Sequence, residues 1–240
     1  MVLQQIDNAA LKADRPMPRL LAVSKHQSAM AVAELAAEWH DHPGNPTPAF
    51  GENYVQEALA KQGALYGIAL EWHLIGHLQS NKAREAAVAF DWVQTVDRIK
   101  LVAVLAAHRP AERAPLNVLV QVNIDDEHSK HGCRPDEIAT LAAAIAAQPR
   151  LALRGLMSIP APYPDMTRRR GTFRRMEHLF KTLRVQYPQV DTLSMGMSED
   201  FAIAVAEGAT MVRVGTALFG ARTLVSGHNH KPGEPASPGA

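Results

Sequence analysis

Leu20-Leu21-Ala22-Val23-Ser24-Lys25 is apolar up to a serine and ends on a lysine. An unbroken apolar run of this length is what a strand covered on both faces requires. Beyond it, from about Ala29 to Trp39, the residues Met30, Ala33, Glu34, Ala37 and Glu38 recur at helical spacing. Lys25 therefore marks the exit of a strand that hands over to a helix. In open parallel sheets and in barrels of alternating strands and helices, ligands bind at that end. Most lysines in such a place are simply solvated. A partly desolvated one gives up its proton more readily, and a neutral amine attacks a carbonyl carbon.

The same alternation runs along the chain. Met1 to Lys12 reads as an amphipathic helix, and Arg15-Pro16-Met17-Pro18 ends it. Further strands are expected at 49–53, 71–76, 92–96, 116–123, 151–159, 192–196 and 211–216. Helices are expected at 54–65, 81–88, 100–108, 135–147, 166–185 and 198–208, with Ser198 as the N-cap of the last. Eight strands alternating with helices make an α/β chain, a single (β/α)8 TIM barrel with an extra N-terminal helix. No linker-like stretch interrupts it, so one domain is expected over residues 1–225. The segment 226–240, rich in Gly, Pro, Ser and His, is expected to be a disordered tail.

Composition narrows the function. The 240 residues carry a formal net charge of +1, which supports neither nucleic acid nor a membrane surface as the main partner. A single cysteine, Cys133, excludes an internal disulfide and suits a reducing, cytoplasmic setting. Met1 to Ala13 lacks the basic start and apolar stretch of a signal peptide, and no apolar run is long enough to span a membrane.

The loops after the last two strands of such a barrel often hold phosphate. Here they are Gly196-Met197-Ser198-Glu199-Asp200 and Gly215-Thr216-Ala217. Ser198 at a helix start, Gly215 for close backbone approach and the Thr216 hydroxyl form a plausible anion cradle. Strand alternation puts Met211, Arg213 and Gly215 on one face of the eighth strand. A guanidinium inside a barrel needs a partner. That partner is either a carboxylate on a neighbouring strand, such as Glu52, or an acceptor atom of a ligand. A lysine, a phosphate cradle and an inward arginine at one barrel mouth suggest pyridoxal 5′-phosphate, bound as a Schiff base, with arginine at the ring nitrogen. Arginine keeps its proton, so the ring would be a poor electron sink.

Long segments carry a resemblance. AVSK (22–25), FGENYVQE (50–57), WHLIGHLQSNK (72–82), VNIDDEHSKHG (122–132), RGLMSIP (154–160) and LSMGMSEDFAIAVAEGATMVRVGTALFGAR (193–222) occur in order along the chain. On these it resembles the pyridoxal phosphate homeostasis protein family, relatives of the alanine racemase barrel. The resemblance implies the fold type III arrangement of pyridoxal phosphate proteins without the additional β-domain. It implies Lys25 as the Schiff-base lysine, Ser198, Gly215 and Thr216 at the phosphate, Arg213 near the ring nitrogen and Asn53 on the other side of the ring; Met195 is grouped with these. It also implies a role in vitamin B6 homeostasis, holding the cofactor and releasing or delivering it to dependent apo-enzymes, with no catalytic residue of its own and a monomeric chain.

The main rival is an amino-acid racemase. Racemisation needs acid/base groups on both faces of the substrate, and none of Tyr54, Tyr66, Tyr163 and Tyr187 has a clear claim to that role. A third reading, a phosphosugar-type barrel enzyme with Lys25 as base, would bind no chromophore. His73 and His77 lie on a strand and its following loop, so they share no helix face, and no metal site is expected. Lys82 and Lys130 follow strands on the cofactor side; both read as solvated, with Lys130 as a candidate auxiliary amine. The arginines at 168, 169, 170, 174 and 175 read as a solvated helix face.

Overall fold

The computed structural model describes residues 2–40, 47–127 and 130–220. The helix α1 (Val2–Lys12) leads into eight strands: β1 (Arg19–Val23), β2 (Ala49–Glu52), β3 (Glu71–Leu74), β4 (Trp92–Val96), β5 (Leu116–Gln121), β6 (Leu151–Met157), β7 (Thr192–Met197) and β8 (Met211–Val214). Each pairs in parallel with the next, and β8 pairs with β1, so the sheet closes into a barrel. Between them run α2 (Ala29–His40), α3 (Val55–Ala64), α4 (Ala83–Ala89), α5 (Ile99–His108), α6 (Ile138–Ala146), α7 (Met166–Gln186) and α8 (Phe201–Ala206). The short α9 (Thr216–Phe219) follows β8 and was not expected. The (β/α)8 reading is correct, and the expected strands run one or two residues too far at several C-terminal ends. The expected tail 226–240 and most of the proline-rich loop at 43–48 lie outside the described residues.

The strands are apolar on both sides because both sides are covered. Outward residues such as Leu20, Ala22, Leu193, Met195, Val212 and Val214 belong to one continuous core shared with the helices. In α7, for instance, Phe173, Met176, Phe180 and Leu183 recur every three or four residues and are buried. The arginines 168, 170, 174 and 175 of the same helix are exposed, as a solvated face requires, and three of them also pair with carboxylates: Arg170 and Arg174 with Glu207, and Arg175 with Asp125.

Inside the barrel the apolar filling is split. Leu21, Ala49, Ile75 and Met211 form one cluster, and Trp92, Leu119 and Met157 another. Polar side chains occupy the rest of the interior. Gly51 faces inward; a Cβ there would come within 2.9 Å of Ile75 Cδ1 and 3.2 Å of Leu21 Cδ2.

One expectation at the seventh helix is corrected. It begins at Phe201, with Asp200 in the N-cap position, so Ser198 is not the cap. Gly196 takes a φ of +90°, and the Asp200 carboxylate accepts the Met197 N–H at 2.7 Å, while the Asp200 N–H bonds back to the Met197 carbonyl. Residues 197–200 are thereby folded into a turn before the helix can start.

Gly76 is fixed by contact rather than by conformation. A methyl group there would overlap the backbone carbonyl of Asn53. Gly76→Ala is expected to destabilise the protein by roughly 1–3 kcal/mol, the usual scale of overpacking, seen as a lower urea midpoint with an unchanged slope.

Candidate functional site

The closed ring places β7, β8, β1 and β2 side by side. The register Leu21↔Arg213 and Ala22↔Val214 brings the exits of β1 and β8 together, and Val23↔Gly51 adds the exit of β2. On the other flank, Met197 is opposite Arg213. Lys25, Asn53, Ser198, Gly215 and Thr216 therefore all lie at the carboxyl ends of four adjacent strands. Met195 stands apart: its side chain is fully buried in the layer between sheet and helices, whereas Ser194 faces the interior.

Lys25 is half-buried and makes no hydrogen bond or ion pair with any described residue. The turn that carries it is strained and clamped. His26, directly after it, has a φ of +63°, which costs a non-glycine residue about 1–2 kcal/mol. The His26 N–H donates to Glu57 Oε1 at 2.5 Å. Lys61 of α3, only 5% exposed, donates to the Ser24 carbonyl at 2.6 Å, to Glu52 Oε1 at 2.6 Å and to Glu57 Oε1 at 2.7 Å. The Ser24 hydroxyl also donates to Glu52 Oε1. Burial raises the Glu52 pKa, against the opposing pull of Lys61 and Ser24. Burial also acts upward on Glu57, but the bonds from Lys61 and the His26 N–H outweigh it and hold this carboxyl below its ordinary range.

Glu52 is thus the partner of Lys61 and not of Arg213, which corrects the ion-pair alternative. Arg213 is 3% exposed, and it has no ion-pair partner among the described residues. Its Nη1 donates to Ser194 Oγ and its Nη2 to the Ser158 carbonyl, both at 2.8 Å. Burial lowers its pKa to about 10, with Asp200 pulling the other way, so it stays cationic at neutral pH.

From Arg213 a single-file chain of hydrogen bonds crosses the barrel. Ser194 Oγ donates to Gln94 Oε1 at 2.7 Å. Gln94 Nε2 donates to His73 Nδ1 at 2.8 Å, and His73 Nε2 then donates to Glu71 Oε1 at 2.5 Å. Glu71 is paired with Arg19 Nη1 at 2.8 Å. This polarity assigns His73 as the neutral tautomer protonated on Nε2. Burial lowers the His73 pKa even though Glu71 pulls it up. Glu71 is partly buried, which acts upward, yet His73 and Arg19 keep its pKa low.

At the mouth, Gly215 leaves room that a side chain would take: its Cβ would lie 3.1 Å from the Val23 carbonyl oxygen. Thr216 follows as the first residue of α9, where backbone N–H groups lack intrahelical acceptors. Ser158 Oγ and Gln121 Oε1, at the exits of β6 and β5, are buried with no hydrogen-bond partner. Asn53 lines a cleft of about 480 Å³ together with Tyr54, Gly76, His77 and Lys82. Cys133 is buried, and burial pushes its thiol up to about 12, so it is no nucleophile. Lys130 is engaged with Glu127 at 3.3 Å, and Lys82 with Glu85 at 3.2 Å.

Lys61, Glu52, Gln94, Ser194, Ser158 and Gln121 were not among the expected site residues. Alternation in β4 and β7 points Gln94 and Ser194 inward, and Lys61 falls on the apolar stripe of α3 with Val55, Ala58 and Leu65.

The family model described as "Alanine racemase, N-terminal domain" matches residues 3–223. A relative from Haemophilus influenzae named pyridoxal phosphate homeostasis protein is 47% identical over 235 residues, covering 95% of this chain and 96% of that one. Its namesake from Escherichia coli K12 is 50% identical over 206 residues, 85% of each chain. Among solved structures, PipY of Synechococcus elongatus with PLP bound superposes with a TM-score of 0.75 at 35% identity, covering 92% of this chain and all of that one. Alanine racemase from Corynebacterium glutamicum, at 19% identity and a TM-score of 0.62, shares the fold; the match covers 95% of this chain and 64% of the racemase.

Two outcomes test the site's internal supports. Lys61→Met strands the fully buried Glu52 without its cation, and a loss of about 3–5 kcal/mol is expected in urea unfolding. For His73, the unfolded chain takes up a proton near pH 6.5 while the folded one resists it, so its contribution is present above about 6.5 and is lost as pH falls. Comparing unfolding free energies at neutral and mildly acidic pH, wild type should lose more stability on acidification than His73→Gln.

Proposed function

The chain belongs to the pyridoxal phosphate homeostasis proteins within the alanine racemase N-terminal domain family, and from that premise we propose that it holds pyridoxal 5′-phosphate on Lys25 and releases it on demand. The observation that carries this reading is the pairing of a partner-free amine with a buried, carboxylate-free arginine at one barrel mouth. The PipY structure of Synechococcus elongatus, whose barrel superposes on this one, has PLP bound.

The residues present fit the group. Lys25 supplies the amine that would bond the aldehyde carbon as a Schiff base, with loss of water. Gly215, Thr216 and Ser198 offer backbone space, first-turn amides and hydroxyls to the phosphate. Arg213 would face the ring nitrogen as a hydrogen-bond donor. Asn53 and the turn at Gly196-Met197 would flank the ring. When bound, the cofactor supplies an aldehyde and an electron-withdrawing ring. Arg213 keeps its own proton, so it leaves the ring nitrogen unprotonated and weakens that withdrawal. Such a site retains the cofactor without being suited to rapid carbanion chemistry, which favours a carrier over a racemase.

In this reading the protein works in the cytoplasm as a monomer and passes the cofactor to dependent apo-enzymes. Among the described residues no helix is long and apolar enough to cross a membrane.

The test is spectroscopic. Wild type incubated with pyridoxal phosphate is expected to become yellow, and borohydride followed by peptide mapping should place the label on Lys25. Lys25→Ala should abolish both. An unchanged yellow adduct at the same barrel mouth in Lys25→Ala would refute the assignment.

A further inference from the structure

His77, Asp97 and His131 are far apart in sequence and adjacent in space. They leave the exits of β3, β4 and β5, on the same end of the barrel as Lys25 but on the far side of Asn53. Each turns one ligand atom toward the others, and those atoms all lie within 4.8 Å of one another. The separation His77 Nδ1 to Asp97 Oδ2 is 4.0 Å. We propose that these three side chains form a divalent transition-metal site, of the two-imidazole, one-carboxylate type that takes Zn²⁺.

The donor set suits that ion: borderline nitrogen donors and one carboxylate oxygen, with water to complete four-coordination. Ligands of a tetrahedral zinc ion at about 2.0–2.2 Å lie a little over 3 Å apart. The present spacing therefore needs a closure of about 1 Å or slightly more, within reach of side-chain rotation. The rings of His77 and His131 are stacked, with centroids 3.6 Å apart and planes inclined by 14°. Coordination would splay the stacked rings, because the ion must lie near both ring planes.

The carboxylate is already oriented. Arg98 Nη1 donates to Asp97 Oδ1 at 2.5 Å, and Arg98 Nη2 donates to the Leu78 carbonyl at 2.8 Å. That leaves Oδ2 turned to His77. Outer contacts of this kind fix metal ligands in established sites. His131 is likewise anchored through its carbonyl, which accepts from Gln121 Nε2 at 3.3 Å. His73, four residues before His77, takes no part: it is enclosed in the barrel between Gln94 and Glu71. A bound ion would tie together three loops, including the one that bears Lys130, and would stabilise the fold by mass action.

Tag-free protein in phosphate-free buffer, titrated with Co²⁺ and then displaced by Zn²⁺, tests this directly. Near one equivalent of Co²⁺ should bind with the intense visible bands of a tetrahedral site, and Zn²⁺ should raise the melting temperature. His77→Ala and His131→Ala should each weaken binding by at least about tenfold, the scale on which even outer-shell changes act. Exchanging the tail residues His228 and His230 for alanine should leave binding unchanged. The yellow colour with pyridoxal phosphate should persist in His131→Ala, which shows that this variant is folded. Absence of stoichiometric binding overturns the proposal, as does binding that survives in both His77→Ala and His131→Ala or that disappears with the tail histidines. The metal readouts do not involve Lys25 and stand or fall separately from the cofactor reading.

Discussion

A guanidinium buried in a barrel wall has to be solvated by something, and the inside of this barrel is arranged around that requirement. Arg213 has no carboxylate beside it, so its charge is dispersed over the Ser158 carbonyl and the Ser194 hydroxyl. The Ser194 hydroxyl in turn donates to Gln94, Gln94 to His73 and His73 to Glu71, which pairs with Arg19 at the opposite end of the barrel. An unsatisfied member would cost roughly 1–3 kcal/mol, so every link constrains its neighbour. The relay fixes the His73 tautomer, and it touches both apolar clusters of the interior, through Gln94 on Met211 and His73 on Trp92. At its upper end stands a cation with no carboxylate partner among the described residues, so its charge is uncancelled there. That uncancelled charge is what an acceptor atom of a ligand can use.

A second network does for the Lys25 turn what the first does for Arg213. The left-handed residue His26 would not hold its conformation unaided. Glu57 accepts its N–H, Lys61 holds Glu57, and Lys61 also grips the Ser24 carbonyl. A buried ion pair of this kind adds little net stability over well-packed apolar residues. Its value here is positional: it ties helix α3 to the end of β1 by charge-assisted bonds that permit one geometry. The β1–β8 pairing then sets that geometry beside Gly215 and Thr216.

The fold was legible because it depends on local period and count. Apolar strands and amphipathic helices announce themselves within ten residues, and eight of each in alternation leave few architectures. Arg213 was legible because parity in a short strand is strict. The start of α8 was misread because Ser198 and Asp200 are both good capping residues; the choice between them rests on the φ of Gly196 and on a bond from the Met197 N–H, neither visible in composition. Met195 was grouped with the mouth although the parity that turns Ser194 inward turns it outward. Lys61 lay in plain view on an apolar stripe but was passed over, since charged residues are rarely buried. Its two carboxylate partners are what make its burial tolerable. The meeting of His77, Asp97 and His131 had no local signature at all, because it is made by three loops brought together by barrel closure.

The two lysines around Ser24 divide the work between them. Both amines come from the same corner of the barrel, and chemistry could in principle use either. Lys61 is bonded to three oxygen atoms, two of them on carboxylates, and is almost fully enclosed. Such an ammonium has its three donors committed to fixed acceptors and is not free to reach a carbonyl carbon. Lys25 has no such bonds and stands half-open at the mouth. The enclosed lysine therefore fixes the turn, and the outer one keeps its amine uncommitted at the mouth. A sequence with only the outer lysine would lack the frame that holds its turn in place.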